Sequence, residues 1–220
     1  MKRSIFSFIS LCIFLNIAVA QEPTTTWPYI NNDFLDAVIY LKSGGKLNYK
    51  ANVHLQECRL HYVANNNIIE ADMSDILLVE LQSKRYMNIN GSLMEIVKEG
   101  KNGFVAKSSR PDYTKLNETG GAYGSSSNTT STKALTSVEG FGTVTTHMLQ
   151  QSEKDEGKVI PLKHEYYVVA NGSVYPAQKK LFEKMLPADK QEGLKAFLKE
   201  NKIRWSSPDD LLKLVDYIEN

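Results

Sequence analysis

His54, Cys58 and His61 are the residues of this chain whose types and spacing come closest to a reactive or metal-holding group. On a helix their i, i+4, i+7 spacing would put all three on one stripe, able to share a Zn²⁺. The alternation before them argues for a strand instead. Leu47, Tyr49, Ala51, Val53 and Leu55 alternate with Asn48, Lys50, Asn52 and His54, the period of a half-buried strand. In an unbroken strand His54 and Cys58 share a face and His61 points the other way. Bringing the three together takes a bulge or sharp bend near Gln56 to Arg59, and a fourth ligand is not visible. No metal is assigned, and the three residues stand as the metal candidates. Cys58 beside His54 or His61 also has the composition of a thiol nucleophile with a base, next to Arg59; a catalytic thiol needs that base positioned and an activating environment. The ordinary reading is a half-buried structural Cys and two surface histidines.

The remaining chemistry is sparse. His164-Glu165 lacks the second His of a zincin helix and flanks a strand beginning at Tyr166, where both side chains are expected to be solvated. His147 has no neighbour to work with. There is no G-x-S-x-G, no P-loop and no dinucleotide fingerprint, so no cofactor is expected. Asp72 and Asp75 are one of many acid pairs, and a glycosidase needs two carboxyls about 5 to 9 Å apart. The Asn-x-Ser/Thr sites at Asn117 and Asn128 carry little weight. Gly120-Gly121-Ala122-Tyr123-Gly124-Ser125 has a different flavour. Gly121 and Gly124 free the backbone around Tyr123, and Tyr with Ser and Gly suits an adaptable contact loop; Tyr113 is a candidate to join it. The alternative is a spacer whose Tyr packs back on the sheet.

The elements that must position these residues begin after an export address. Lys2 and Arg3, the apolar stretch Ile5 to Ile17 and the A-x-A site Ala18-Val19-Ala20 have the order of a secretory signal, with cleavage expected between Ala20 and Gln21. A spanning helix needs about 20 apolar residues; here Ser7, Ser10 and Asn16 interrupt a shorter core, so the mature protein is not expected to be integral to a membrane. Cys12 lacks the small residues before it that lipidation requires. Losing Lys2 and Arg3 from the 26 basic residues leaves 24 against 25 acidic ones, a net charge near −1. That excludes the basic surplus a nucleic-acid partner requires. Only Cys58 remains, so no internal disulfide is possible and packing must hold the fold.

Residues 21–32 read as a polar tether, with Trp27 and Tyr29 covering the edge of the first strand. From Asp33 to about Lys107 the period is two, with turns at Ser43-Gly44-Gly45, Asn65-Asn66-Asn67, Asn90-Gly91 and Asn102-Gly103. Ile76 to Leu81 is nearly all apolar, which predicts a central strand covered on both faces. Residues 108–137 are rich in Gly, Ser, Thr and Asn, too long without periodicity for an ordinary connection. Strands return at Val138 to Met148 and Val159 to Tyr175, the latter turning at Asn171-Gly172. After Pro176 the period becomes 3.6, in three stripes: Leu181, Phe182, Met185 and Leu186; Leu194, Phe197 and Leu198; Leu211, Leu214, Val215 and Ile218. The last helix has Ser207 as N-cap, Pro208 at its first position, and Asp209 and Asp210 in its first turn. The second starts near Pro187 and carries Gly193 at a cost of roughly 1 kcal/mol against Ala. Between Gln178 and Asn220 nine Lys and Arg meet eight Asp and Glu, so the helices present no DNA-binding face. The fold class is α+β: an antiparallel β-sandwich or partly closed β-barrel over 33–175, followed by three short helices over 176–220 packed on the sheet.

Three stretches carry a resemblance: Ile68 to Met87 (IIEADMSDILLVELQSKRYM), Gly121 to Ser125, and Pro161 to Ile218. They are similar to an uncharacterised family of small secreted proteins from Bacteroidota. The resemblance implies export and a shared fold, and it transfers no activity and no catalytic residues. The family's loop often continues with more Gly and Ser, which this chain follows only loosely. Together these readings predict an exported, non-enzymatic binding or interaction protein of the periplasm or cell surface, with an envelope protein or a glycan as partner and the polar stretch 108–137 as contact region. The alternatives are a secreted hydrolase using scattered carboxylates or a Cys–His pair, and a structural, self-associating component of an envelope assembly.

Overall fold

The computed structural model describes residues 24–25, 28–112, 137–139, 145–147 and 160–219. The expected α+β class is what it shows. The strands are β1 (Thr24–Thr25), β2 (Leu35–Leu41), β3 (Lys46–His54), β4 (Arg59–Ala64), β5 (Asn67–Glu70), β6 (Ile76–Leu81), β7 (Lys84–Ile89), β8 (Ser92–Glu99) and β9 (Gly103–Pro111), then β10 (Ser137–Glu139), β11 (Thr145–His147), β12 (Ile160–Ala170) and β13 (Ser173–Pro176). Helices α1 (Lys179–Met185), α2 (Ala188–Asn201) and α3 (Pro208–Glu219) follow. Eleven strands form one antiparallel sheet in the order β1-β12-β9-β8-β7-β6-β2-β3-β4-β5, with β13 beside β12, while β10 and β11 pair with each other. The sheet is not closed into a barrel. No helix among the described residues is long and apolar enough to cross a membrane.

Asparagine sets the turns. Asn65, Asn66, Asn90 and Asn171 all have positive φ, between 50° and 59°, the left-handed region that Asn tolerates and that tight hairpins need. These turns were legible, and they fix the β4–β5, β7–β8 and β12–β13 hairpins.

After Leu55 the apolar phase slips to Leu60 and Tyr62, and the cause is not the expected bulge or bend. His54 pairs with Arg59 and Asn52 with His61. Residues 55–58 are therefore a hairpin turn between two strands, with Cys58 at φ 55°. A second correction concerns β6. It is central, between β2 and β7, but Leu77 is exposed. The register shifts between Tyr40 and Leu41, and a bulge of this kind turns a residue outward. A third concerns the polar stretch: β9 runs through Ser108 and Ser109, both buried, to Pro111. The supposed tether also forms structure, since β1 pairs with the start of β12 and Pro28 to Asp33 bind β3.

The sheet buries two cores on one face. In the first, β2 to β8 curl around Ile39, Val53, Leu60, Val79, Tyr86 and Leu93. In the second, the helices cover Val105, Val168 and Ala170 with Phe182, Leu194, Leu211, Leu214 and Val215. A smaller cluster of Ile89, Met94 and Ala106 lies on the opposite face. The expected helical stripes hold best in α3, which buries Leu211, Leu214, Val215 and Ile218. In α1 only Phe182 is buried, while Leu181 and Met185 are exposed. Ser207 accepts from Leu211 N through its carbonyl and from Asp210 N through Oγ at 3.4 Å, the expected N-cap. Arg204 beside Asp210, 2.7 Å away, holds that carboxyl down at about 2. Gly193 is explained by α3: a Cβ there would lie 3.1 Å from Tyr217 Oη, which donates to Lys190 O at 2.6 Å.

Candidate functional site

The hairpin β3–β4 separates the three sequence candidates into two places. His54 and His61 end up on the same face, because each follows the pairing partner of the other strand by two residues. Their imidazoles stack with centroids 4.9 Å apart. Tyr29 closes over them edge-on, 5.5 Å from His54 and 5.6 Å from His61, and its hydroxyl lies 3.0 Å from His61 Nδ1. On the other side His61 Nε2 is 3.6 Å from Glu70 Oε2, whose second oxygen accepts from Arg59. A neutral ring with its proton on Nε2 satisfies both neighbours: Nδ1 accepts from Tyr29, and Nε2–H faces the carboxylate.

This clasp holds residues 28–33 against β3. Leu55 N donates to Pro28 O and Ile30 N to Val53 O. Fully buried Asn52 donates from its amide to Asn31 O and Asp33 O and accepts from Asn31 N and Val53 N. Burial is the first cause that lowers the pKa of both histidines from 6.5; for His54 the neighbouring His61 lowers it further, while Glu70 pulls the other way on both. The folded state therefore binds protons later than the unfolded chain. The clasp's contribution is full above pH 6.5 and is lost as pH falls through the lowered folded values. A urea midpoint that falls between pH 7.5 and 5, with a smaller fall in His54→Gln/His61→Gln, is the expected result; a flat profile over that range would sink the assignment.

Cys58 points elsewhere. The residue is 1 % exposed, and its thiol lies 3.7 Å from Ser108 Oγ, 3.7 Å from Ser109 O and 3.9 Å from Leu55 O. Its carbonyl accepts from Leu93 N at 2.7 Å. The hairpin tip thus sits between the start of β8 and the end of β9, and joins the curled half of the sheet to the rest without a continuous strand pair. Neither histidine is among the thiol's contacts, and among the described residues no three His, Cys, Asp or Glu gather as a metal site requires. The histidines are half-buried rather than surface groups, and the Cys is buried outright.

Asp72 and Asp75 belong to a turn: Asp72 Oδ1 accepts from Ser74 N at 2.9 Å, and that bond lowers its pKa. His147 pairs through its backbone with Ser137. Tyr113, Gly121, Tyr123, Gly124, Ala20 and Gln21 lie outside the described residues.

A set of polar groups escaped the sequence reading. His164 is inside β12, not before it, and its Nδ1 is 2.9 Å from Ser109 Oγ. Burial first, then Lys107, lowers its pKa. Lys107 Nζ is 2.8 Å from Glu95 Oε2, and Lys84 Nζ is 3.8 Å from Glu95 Oε1. Beside them is Tyr86, 2 % exposed, whose hydroxyl has no hydrogen-bond partner among the described residues; burial and then Glu95 push the phenol up. The signal that could have found this set is the loss of alternation: Glu95, Lys107 and His164 stand where the inward positions of β8, β9 and β12 should be apolar. An unpaired buried hydroxyl costs roughly 1–3 kcal/mol, so Tyr86→Phe is expected to raise the urea midpoint of the unliganded protein. A lower midpoint would mean the hydroxyl is paired.

Compared with known family models, with curated proteins and with solved structures, the chain matches none.

Proposed function

We propose that this chain is an exported, non-enzymatic binding module of the cell envelope, and that the β3–β5 end of its sheet is a contact surface. The observation that supports this reading is a group of large apolar side chains left in solvent there. Leu47, Tyr49, Ile68 and Ile69 are 37 to 56 % exposed. Register places Tyr62 opposite Ile69 and Ala51 opposite Tyr62, and Tyr49 meets Tyr62 at 4.8 Å between centroids. Leu47, Tyr49, Tyr62 and Ile69 therefore share one face, while Ile68 wraps round to the other. β5 is also the last strand of the sheet among the described residues. Scattered exposed apolar residues need no explanation, but a contiguous group beside a sheet edge is the usual mark of a partner surface. Cys58, the candidate thiol nucleophile, is committed to packing, which supports binding over hydrolysis by a Cys–His pair.

The test is capture from an envelope extract by the chain from Gln21 onward, read by mass spectrometry. A partner retained by the native protein and lost with Tyr49→Lys/Ile68→Lys, at unchanged circular dichroism, supports the surface. Identical capture by both removes it. The same capture with residues 120–131 deleted tests the tyrosine- and glycine-bearing stretch as a second contact region; an unchanged partner list rules that stretch out.

A further inference from the structure

Between the two cores, on the face they share, runs a strip of Glu95, Lys107, Ser109 and His164, which belong to neither; Tyr86 of the first core and Tyr166, packed against the second, flank them. Tyr86 of β7 stands opposite Glu95 of β8, Glu95 opposite Lys107 of β9, and Lys107 opposite Tyr166 of β12. Ser109 and His164 form the next opposed pair. Apolar residues at these positions would have merged the cores into one. A mostly buried ion pair such as Glu95–Lys107 adds little net stability, because desolvation offsets the attraction. Charged groups placed there are better explained by something they bind. Tyr86 adds an independent observation. The residue is 2 % exposed and its hydroxyl has no hydrogen-bond partner among the described residues, though it lies within the field of the Glu95 carboxylate.

We propose that this strip is a binding site for a neutral, hydroxyl-rich ligand of the saccharide class. The chemistry follows from the mix of groups. One carboxylate lies between two ammonium groups, Lys107 at 2.8 Å and Lys84 at 3.8 Å. An anion meets Glu95, and a cation meets both lysines. A hydroxyl donates and accepts at once, so vicinal hydroxyls donate to Glu95 while accepting from Lys107 and the Tyr86 phenol. Charge-assisted bonds of this kind are the strong ones. His164, fixed through Nδ1 by Ser109, offers its other ring nitrogen, and Tyr166 gives an aromatic flank. None of these residues belongs to the β3–β5 surface, so the two assignments stand or fall separately.

The test applies the chain from Gln21 onward to an array of neutral hexose and N-acetylhexosamine oligosaccharides, with uronic-acid, sialylated and phosphorylated glycans as a second arm. The native protein is expected to bind a neutral glycan, with about tenfold weaker binding in Glu95→Gln and in Lys107→Met. Tyr86→Phe is expected to lose affinity while its unfolding midpoint stays level or rises, which separates a ligand contact from a folding defect. Tyr49→Lys/Ile68→Lys should bind the same glycan unchanged. Absence of neutral-glycan binding, binding confined to the acidic arm, or equal binding by Glu95→Gln overturns the proposal.

Discussion

Phe182→Ala is expected to lower stability by roughly 3–5 kcal/mol, the range for emptying a fully packed aromatic site. For a chain of this length that corresponds to a fall in Tm on the order of 10 °C. Phe182 is the only buried residue of α1. It meets Tyr175 of β13 at 5.6 Å and Trp205, between α2 and α3, at 5.5 Å between centroids. One side chain therefore ties the last strand to the helical cover. The first core, around Leu60 and Val79, shares no residue with the core that holds Phe182. The loss should appear first as faster hydrogen exchange in α1 to α3, β12 and β13, with β2 to β6 protected for longer. Uniform acceleration across both halves would show that the two cores unfold as one unit, and a change under 1 kcal/mol would show that the site collapses around the gap.

The helical cover was legible in the sequence because its signals are local. Ser207 and Pro208 start α3 and the stripe from Leu211 to Ile218 faces inward without help from distant residues. The Asn-Gly turns were legible for the same reason. What escaped was set by long-range register. The alternation from Leu47 to Leu55 correctly gave β3, but nothing local distinguishes a four-residue turn at 55–58 from a bulge. That choice decides whether His61 shares a face with His54. Ser108 and Ser109 read as the start of a polar loop, since their hydroxyls find partners in Cys58 and His164, 50 and 55 residues away. Nothing local distinguishes Glu95 or Lys107 from an ordinary surface charge. Only the β8–β9 register puts them opposite each other, on the inward side. The candidate site was thus visible as residue types and invisible as a place.

Cys58 shows most sharply what register adds, and Cys58→Asp is expected to be the most damaging single change in the β3–β4 hairpin. The new carboxylate would be enclosed among Leu55 O, Ser109 O and Ser108 Oγ. Two of these three are carbonyl acceptors that repel it, and no cation is among them. An unpaired charge in a buried site costs about 3–5 kcal/mol, or is neutralised by protonation. Because the same residue's carbonyl holds Leu93 N, the displaced tip would also release β8 from β4. Raising the pH should then deepen the loss, as the carboxyl is forced to ionise in place; urea midpoints for variant and native protein at pH 5 and pH 8 check this. Cys58→Ala keeps the backbone bond and removes only the sulfur, so it should cost far less and leave partner capture and glycan binding intact. If Cys58→Ala instead abolishes a measurable activity while its midpoint stays near native, the thiol is chemical rather than structural, and the non-enzymatic reading falls with it.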